Sequence, residues 1–205
     1  MKSVLIAIQP YWVFLIIAKT MGWEIDQEKT VEVRKTFPKD LNWNKKSIIY
    51  CSKNKQSFNR IPKKYQPLME RFLGRVIGEF VCEEITEIHY HDWSGDYGVP
   101  KDLFFANLFA ESTCLNYEEL DKYLQGKNGY GWHISDLVIY DKPKELFEFF
   151  KYDKYQVCKE KNCFSGDCWG CSNNAIVTRP PQSWCYVEEL GAEAFKEWLQ
   201  KECEG

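Results

Sequence analysis

From Val4 to Ala18 the chain runs apolar for fifteen residues, interrupted only by Gln9 and Pro10. That interruption decides what the stretch can be. A membrane-crossing helix needs about eighteen or more apolar residues in one run. A secretory leader would need a small-residue cleavage point, which Ala18-Lys19-Thr20 does not supply. Ser3 to Gln9 is instead rich in β-formers, and Pro10 stands where a first helical turn accepts it. The pattern predicts a buried strand followed by a helix, Tyr11 to Lys19, that ends near Gly22. No membrane association is expected, and the chain is expected to be cytoplasmic.

Further along, Lys29 to Lys35 alternates with the period of a half-buried strand, with Val31 and Val33 on one face and Thr30, Glu32 and Arg34 on the other. Strands are predicted at Ser47 to Cys51, at Arg75 to Glu83 with continuation towards Ile88, at Gly131 to Tyr140 and at Ser183 to Glu188. Asn116 is a suitable cap for a helix from Tyr117 to Gln125, closed by Gly126. Pro143 to Phe150 reads as a helix opened by proline, and Ala192 to Glu202 as a terminal helix. Short strands interleaved with a few helices indicate an α+β fold with a curled sheet or small barrel. At 205 residues, with 16% aromatic side chains, one domain over residues 1–205 can bury a sizeable core without staples.

The net charge of −3 hides an asymmetry. Between Arg34 and Arg75 stand twelve basic residues and only two acidic ones, Asp40 and Glu70, so this window carries +10 and the remainder −13. A polyanion responds to such a local field rather than to the overall balance. A solvated lysine-rich face is the bland alternative.

The nine cysteines form two populations. Cys51, Cys82, Cys114 and Cys203 sit in apolar or helical patterns and carry no motif. Cys158, Cys163, Cys168 and Cys171 are spaced C-x4-C-x4-C-x2-C, with Gly166 and Gly170 to turn the loop, and Cys185 follows as a substitute ligand. Four thiolates at this spacing suit a structural Zn²⁺ in a cysteine-rich insertion over residues 158–171. Disulfides and an iron–sulfur cluster remain as alternatives. The odd cysteine count argues against the first, and the absence of a compact ferredoxin run against the second.

Thr30, Glu32 and Arg34 on one strand face, with Lys29 at its mouth, set a carboxylate between cations. That arrangement serves binding better than acid catalysis, and a surface ion-pair cluster is its bland counterpart. Trp132 and Trp184 are candidate stacking platforms for an unpaired base, against a core role for either. Trp12 reads as a packing residue. His89 and His91 would share a strand face beside Asp92, but no third ligand is visible at metal spacing, and His133 reads as a pocket base or a satisfied core histidine. No nucleophile elbow, Walker loop or dinucleotide fingerprint is present, which excludes the common hydride- and phosphoryl-transfer signatures.

Leu5-Ile6-Ala7-Ile8-Gln9-Pro10-Tyr11-Trp12, followed by Glu28-Lys29-Thr30-Val31-Glu32-Val33-Arg34, resembles the ASCH domain of the PUA-like superfamily, whose hallmark is Gly-x-Lys-x-x-Glu-x-Arg after a strand–helix pair. Val76 to Phe80, Gly131 to Leu137 and Arg179-Pro180-Pro181-Gln182-Ser183-Trp184 resemble the family's later strands. Gln27 stands where the family has its glycine, and Trp23 to Gln27 looks like a short insertion that reshapes the loop over the pocket. The resemblance implies a PUA-like small β-barrel of five to six strands flanked by helices, with a cleft for RNA or a modified base. Candidate contacts there are Lys29, Thr30, Glu32, Arg34, Lys35, Ser52, Lys53, Trp132 and Trp184. Some relatives are hydrolases, and an amidohydrolase branch acting on acetylated cytidine uses the motif lysine with a threonine where this chain has Glu32. Lys29 carries over as a catalytic candidate; the threonine does not.

Binding of RNA or of a single-stranded or modified nucleotide by a monomer is therefore the first expectation. A hydrolase using Lys29 is the second, opposed by Glu32, which would raise the lysine pKa rather than lower it. A protein-interaction module is the third, with no specific feature behind it.

Overall fold

The computed structural model describes residues 2–39, 46–92, 94–99, 103–152 and 176–189. The cysteine quartet at 158–171 and the expected helix at 192–202 lie outside the described residues. Strand β1 (Ser3–Ile8) passes into helix α1 (Pro10–Ile17) with Pro10 at the first helical position. After Ser3, β1 is apolar because it is covered on both sides. Val4, Ile6 and Ile8 enter the main core, while Leu5 enters a second cluster on the opposite face. Helix α1 buries Val13, Phe14, Leu15, Ile16 and Ile17, as a helix apolar nearly all round must.

The next elements are β2 (Val31–Arg34), β3 (Lys46–Cys51), two short helices, α2 (Lys55–Asn59) and α3 (Gln66–Glu70), and then β4 (Arg75–Val81) and β5 (Ile85–His91). They are followed by β6 (Asp96–Gly98), α4 (Leu103–Thr113), α5 (Tyr117–Leu124), β7 (Gly129–His133), β8 (Ser135–Lys144), β9 (Phe149–Lys151) and β10 (Trp184–Glu189). One sheet has the order β8-β4-β3-β1-β10-β9, and the other β2-β7-β5-β6. β1 and β3 run parallel, whereas the remaining pairs are antiparallel.

The α+β class is observed, but the described strands form two open sheets rather than a closed barrel. The reason lies at one corner. The chain leaves the first sheet after β4 and returns to it before β8, so the predicted strand continuing towards Ile88 is two strands in two sheets, and so is the predicted strand Gly131 to Tyr140. The corner is tied by His133 N donating to Glu84 O at 3.0 Å and by Ser135 Oγ donating to Val81 O at 3.0 Å. Trp132, fully buried, fills the core behind it.

The predicted helix over Pro143 to Phe150 is also corrected. β8 extends to Lys144, which pairs with Val76; a short 3-10 turn, Leu146–Glu148, follows, and then β9. Proline is tolerated because β8 is an edge strand. Phe149 and Phe150 are both buried and pair with Glu189 and Glu188 of β10. Adjacent buried aromatics are better served by a strand covered on both faces than by one stripe of a helix.

The insertion at Trp23 to Gln27 is pinned to the core. Trp23 stacks on Phe14 at 5.7 Å and on Tyr65 at 5.3 Å between ring centroids. Its backbone N–H donates to Ala18 O.

Candidate functional site

The strand period of β2 separates two kinds of side chain. Val31 and Val33 pack with Ile88, Phe109 and Leu124, while Glu32 and Arg34 share the opposite face. The segment leading into the strand is held from both sides, since Lys29 N donates to Leu15 O at 3.2 Å and Thr30 N to Ser112 O at 2.9 Å. Lys29 thereby joins Glu32 and Arg34 in one buried ionic row. Lys29 Nζ lies 3.4 Å from Glu32 Oε2, and Arg34 Nη2 lies 2.9 Å from Glu32 Oε1.

Each cation has a second anchor. Lys29 Nζ donates to Thr113 O at 2.7 Å, the carbonyl that ends α4, where the helix dipole favours a cation. It also lies 5.2 Å from the centre of a Trp12 ring. Arg34 Nη2 donates to Ala7 O at 2.6 Å near the end of β1. Burial pushes the Lys29 pKa below the ordinary ammonium range, and the attraction of Glu32 offsets this only in part. The expectation that Glu32 would dominate and raise it is therefore reversed. Lys29 is only 2% exposed, so loss of hydration outweighs one ion pair.

This row forms the floor of a cleft of about 890 Å³. One wall comes from α1 and the segment around α2, with Gln9, Trp12, Ser52, Asn54, Gln56 and Arg60. A second part of the lining comes from α5, with Glu119, Lys122 and Tyr123, and a third from Pro180, Pro181 and Gln182. Four carboxamide-bearing side chains, Gln9, Asn54, Gln56 and Gln182, thus border the cleft together with aromatic and cationic groups. Arg34 Nε and Ser52 Oγ are buried without a hydrogen-bond partner among the described residues. Buried polar atoms left in this way are costly, and in a cleft they are the atoms a ligand would satisfy.

The other sequence candidates are dispersed. Thr30 supports the strand entry through its backbone and does not line the cleft. Lys35 is exposed, with Nζ 5.4 Å from the centre of the Tyr123 ring. Lys53 is exposed, and its stem lies over Gly74, where an added Cβ would come within 2.1 Å of Lys53 Cε. Trp132 is wholly inside the core and presents no face to the cleft. Trp184 is half-buried against Tyr186, with its ring N–H donating to Thr36 Oγ1 at 3.1 Å. Trp12, read as packing alone, both packs on the core and lines the cleft.

His133 Nε2 is 2.8 Å from Thr86 Oγ1, a satisfied inner histidine. His89 Nε2 lies 3.4 Å from Glu87 Oε2. Among the described residues no group of three or more His, Cys, Asp or Glu is placed to hold a metal. Cys185 lies in β10 opposite Leu5 and packs on the second core cluster, where burial pushes its thiol up to about 11.

The basic window is less bare than its count implies. Arg34, Lys46, Arg60 and Arg75 pair with Glu32, Glu79, Glu119 and Glu145, all carboxylates from outside it. Arg60, Lys122 and Tyr123 are among the cleft residues that sequence reasoning did not single out, as are Asn54, Gln56 and Glu119. Arg60 was one cation among twelve, and α5 could be placed in the sequence but not its position near α2.

No family model matches the chain, and no curated protein matches it. Among solved structures it is similar to the ASCH protein from Zymomonas mobilis, at 16% identity and a TM-score of 0.46, covering 97% of this chain and 94% of that one. A tyrosine-to-phenylalanine mutant of ZmASCH from the same organism matches at 15% identity and a TM-score of 0.47, covering 98% of each chain. No helix among the described residues is long and apolar enough to cross a membrane.

Proposed function

We propose that this chain is an ASCH-type domain that binds RNA or a modified nucleotide, taking one base into the cleft above Lys29, Glu32 and Arg34. The observation that carries this reading is the buried ionic row at the floor of an otherwise polar and aromatic cleft. Glu32 accepts from an exocyclic amine such as cytosine N4, while Arg34 Nε and Ser52 Oγ supply donors to the acceptor positions of the same edge. Trp12 and Tyr123, both in the cleft lining, offer apolar flanks to a ring. The cleft volume suits a ligand of nucleotide size.

The test is a titration of the protein with the four ribonucleotides and with short RNAs, beside Glu32→Gln and Arg34→Ala. Glu32→Gln is expected to change which base is preferred, by about 1–3 kcal/mol of discrimination at one edge. Arg34→Ala is expected to weaken every ligand of the cleft. Equal affinity of both variants and the parent for the whole panel would exclude the reading.

A second reading, hydrolysis of a modified nucleoside or RNA, is favoured by one observation: burial lowers the Lys29 pKa, the condition under which a lysine acts as base or nucleophile. Acetylated cytidine and a short RNA incubated with the parent and with Lys29→Ala separate the two. Turnover that disappears in the variant while binding persists supports the hydrolase.

For the segment 158–171 the proposal is a structural zinc on Cys158, Cys163, Cys168 and Cys171, resting on their spacing and on the donor type. Elemental analysis of the purified protein should find close to one zinc per chain, and chelation should lower Tm. Disulfide-linked peptides from this segment, with neither zinc nor iron present, would remove it.

A further inference from the structure

The mouth of the cleft holds an arginine prepared for a ligand group different in kind from the one the floor would read. Arg60 follows α2 directly, and its guanidinium lies 4.0 Å from the centre of the Tyr11 ring and 4.8 Å from that of a Trp12 ring. Two aromatic rings flank a group that carries five donors in a rigid fork. One nitrogen, Nη2, reaches across to Glu119 Oε1 on α5 at 2.8 Å. Lys122 stands one helical turn after Glu119 on the same helix and lines the same cleft.

We propose that the cleft selects ligands carrying a phosphate ester: Arg60 and Lys122 grip the phosphate at the mouth while the base rests on the Lys29, Glu32 and Arg34 floor. This rests on the nucleotide reading of the cleft and narrows it, from any ligand with a base to a nucleotide or a nucleotide unit of RNA, in preference to a free nucleoside. Arg60 is suited to this because its contacts with the two rings already restrict the rotamer freedom that a phosphate contact would otherwise cost. Its present partner is not a strong competitor. The Arg60–Glu119 pair is part-exposed on both sides, at 44% and 29% of the side chains, and such pairs contribute little. A phosphate offers more negative charge and matches the fork in a bidentate manner.

Glu119 allows the idea to be tested without breaking the wall. Its second oxygen, Oε2, accepts from Asn116 N at 3.4 Å, and its backbone N–H donates to Asn116 Oδ1, the capping box of α5. Glutamine serves equally well at that position of a capping box. Glu119→Gln therefore removes the competing charge and leaves the helix start in place.

The experiment measures affinities of the parent, Glu119→Gln, Lys122→Ala, Arg60→Gln and Arg60→Lys for the four ribonucleosides, their 5′- and 3′-monophosphates, and inorganic phosphate. The parent is expected to bind a monophosphate at least about tenfold more tightly than its nucleoside, the scale of one charge-assisted contact. Lys122→Ala and Arg60→Gln should shrink that ratio towards one, Arg60→Lys should restore part of it, and Glu119→Gln should enlarge it. Lys122→Ala touches neither aromatic ring, so it reports on the phosphate even if Arg60→Gln disturbs the wall. Equal parent affinity for nucleosides and monophosphates, with Arg60 and Lys122 variants silent, overturns this inference and leaves the nucleotide reading standing. Inorganic phosphate bound as tightly as the best monophosphate overturns it as well, because the base then contributes nothing. Failure of the parent to bind any nucleoside or nucleotide removes both.

Discussion

Lys29 Nζ and Glu32 Oε2 meet at 3.4 Å with both side chains more than nine-tenths buried, and Glu32 holds Arg34 through its other oxygen. Glu32 is therefore the single anion between two buried cations, and the two ends of the row are not equivalent to its centre. Removing the centre leaves two charges uncompensated in a poorly hydrated place, whereas removing Lys29 leaves the Glu32–Arg34 pair intact. Glu32→Leu is expected to destabilise the fold by about 3–5 kcal/mol, the usual consequence of orphaning a buried charge. Lys29→Met should cost less than half as much, since it also removes a desolvated ammonium. Urea unfolding of the two variants beside the parent compares them directly. Equal losses would mean that the row does not act as three coupled charges.

The lowered pKa of Lys29 makes stability depend on pH in a definite direction. In the unfolded chain this amine keeps its proton up to its ordinary value of 10.5, whereas in the folded chain it releases it earlier. Between the two values the unfolded state binds more protons, so unfolding free energy rises with pH, by at most about 1.4 kcal/mol per pH unit for one site. The cost of burying the ammonium is fully present below the folded value and is relieved on passing above it. The difference in stability between the parent and Lys29→Met should therefore shift in favour of the parent as pH rises towards 10.5 and level off beyond. A flat difference over that range would show that the amine is not desolvated.

What could be read from the residues alone, and what could not, divides along a physical line. β1, α1, β2, β3 and α5 were visible because each carries its own local signal: a continuous apolar run, a proline at a first turn, a period of two, an Asn116 cap. The Lys29, Glu32 and Arg34 grouping was visible for the same reason, since a strand period places alternate residues together. The corner at Cys82 to Glu84 and at Ile134 was not, because β-formers resume directly after it, and the carboxylates Glu83 and Glu84 do not by themselves show the change of pairing partner, from Val81 with Ser135 to Ile85 with Trp132, that makes the break. Phe149 and Phe150 misled for a related reason: their neighbours Leu146 and Phe147 complete a helical stripe, and only pairing with β10 favours the strand. Burial of the ionic row was equally hidden. It depends on α4 and β1, whose Thr113 and Ala7 carbonyls are far along the chain from the side chains they accept from.

Gly131 links the packing to the site. It lies in β7 opposite Val33, and a Cβ there would stand 2.5 Å from Phe109 Cζ and 2.9 Å from Val31 Cγ1. The missing side chain is thus what lets α4 settle on β2 and β7. Gly131→Ala should cost about 1–3 kcal/mol through overpacking. Because α4 ends in the carbonyl that holds Lys29, the same change should also disturb the cleft floor and weaken ligand binding. Asn116→Ala is the contrasting variant. It removes the α5 cap, Asn116 Oδ1 accepting from Glu119 N at 2.8 Å, at about 1 kcal/mol, and acts on the α5 wall and not on the floor. Thermal melts together with ligand titrations distinguish the two, and a Gly131→Ala protein as stable as the parent would show that α4 has room to move.

The last expectation concerns how the basic segment meets a polyanion. Arg34, Lys46, Arg60 and Arg75 are paired with carboxylates, so they add less to the outward field than their number suggests. Lys63 and Lys64 are exposed in the stretch between α2 and α3; Lys64 lies 4.6 Å from the Tyr65 ring, and neither lines the cleft. If this segment tracks the backbone of an RNA whose base is read in the cleft, Lys63→Glu with Lys64→Glu should weaken all short RNAs to a similar degree. It should also flatten the dependence of log K on log salt by about 0.7 for each phosphate of a single strand that the lysines no longer neutralise. Mononucleotide affinity should hardly change, because one nucleotide in the cleft does not reach these lysines. Arg60→Gln should behave in the opposite manner, lowering mononucleotide and RNA affinity together. RNA binding of the Lys63/Lys64 variant with unchanged affinity and salt slope would identify this stretch as a solvated face and confine recognition to the cleft.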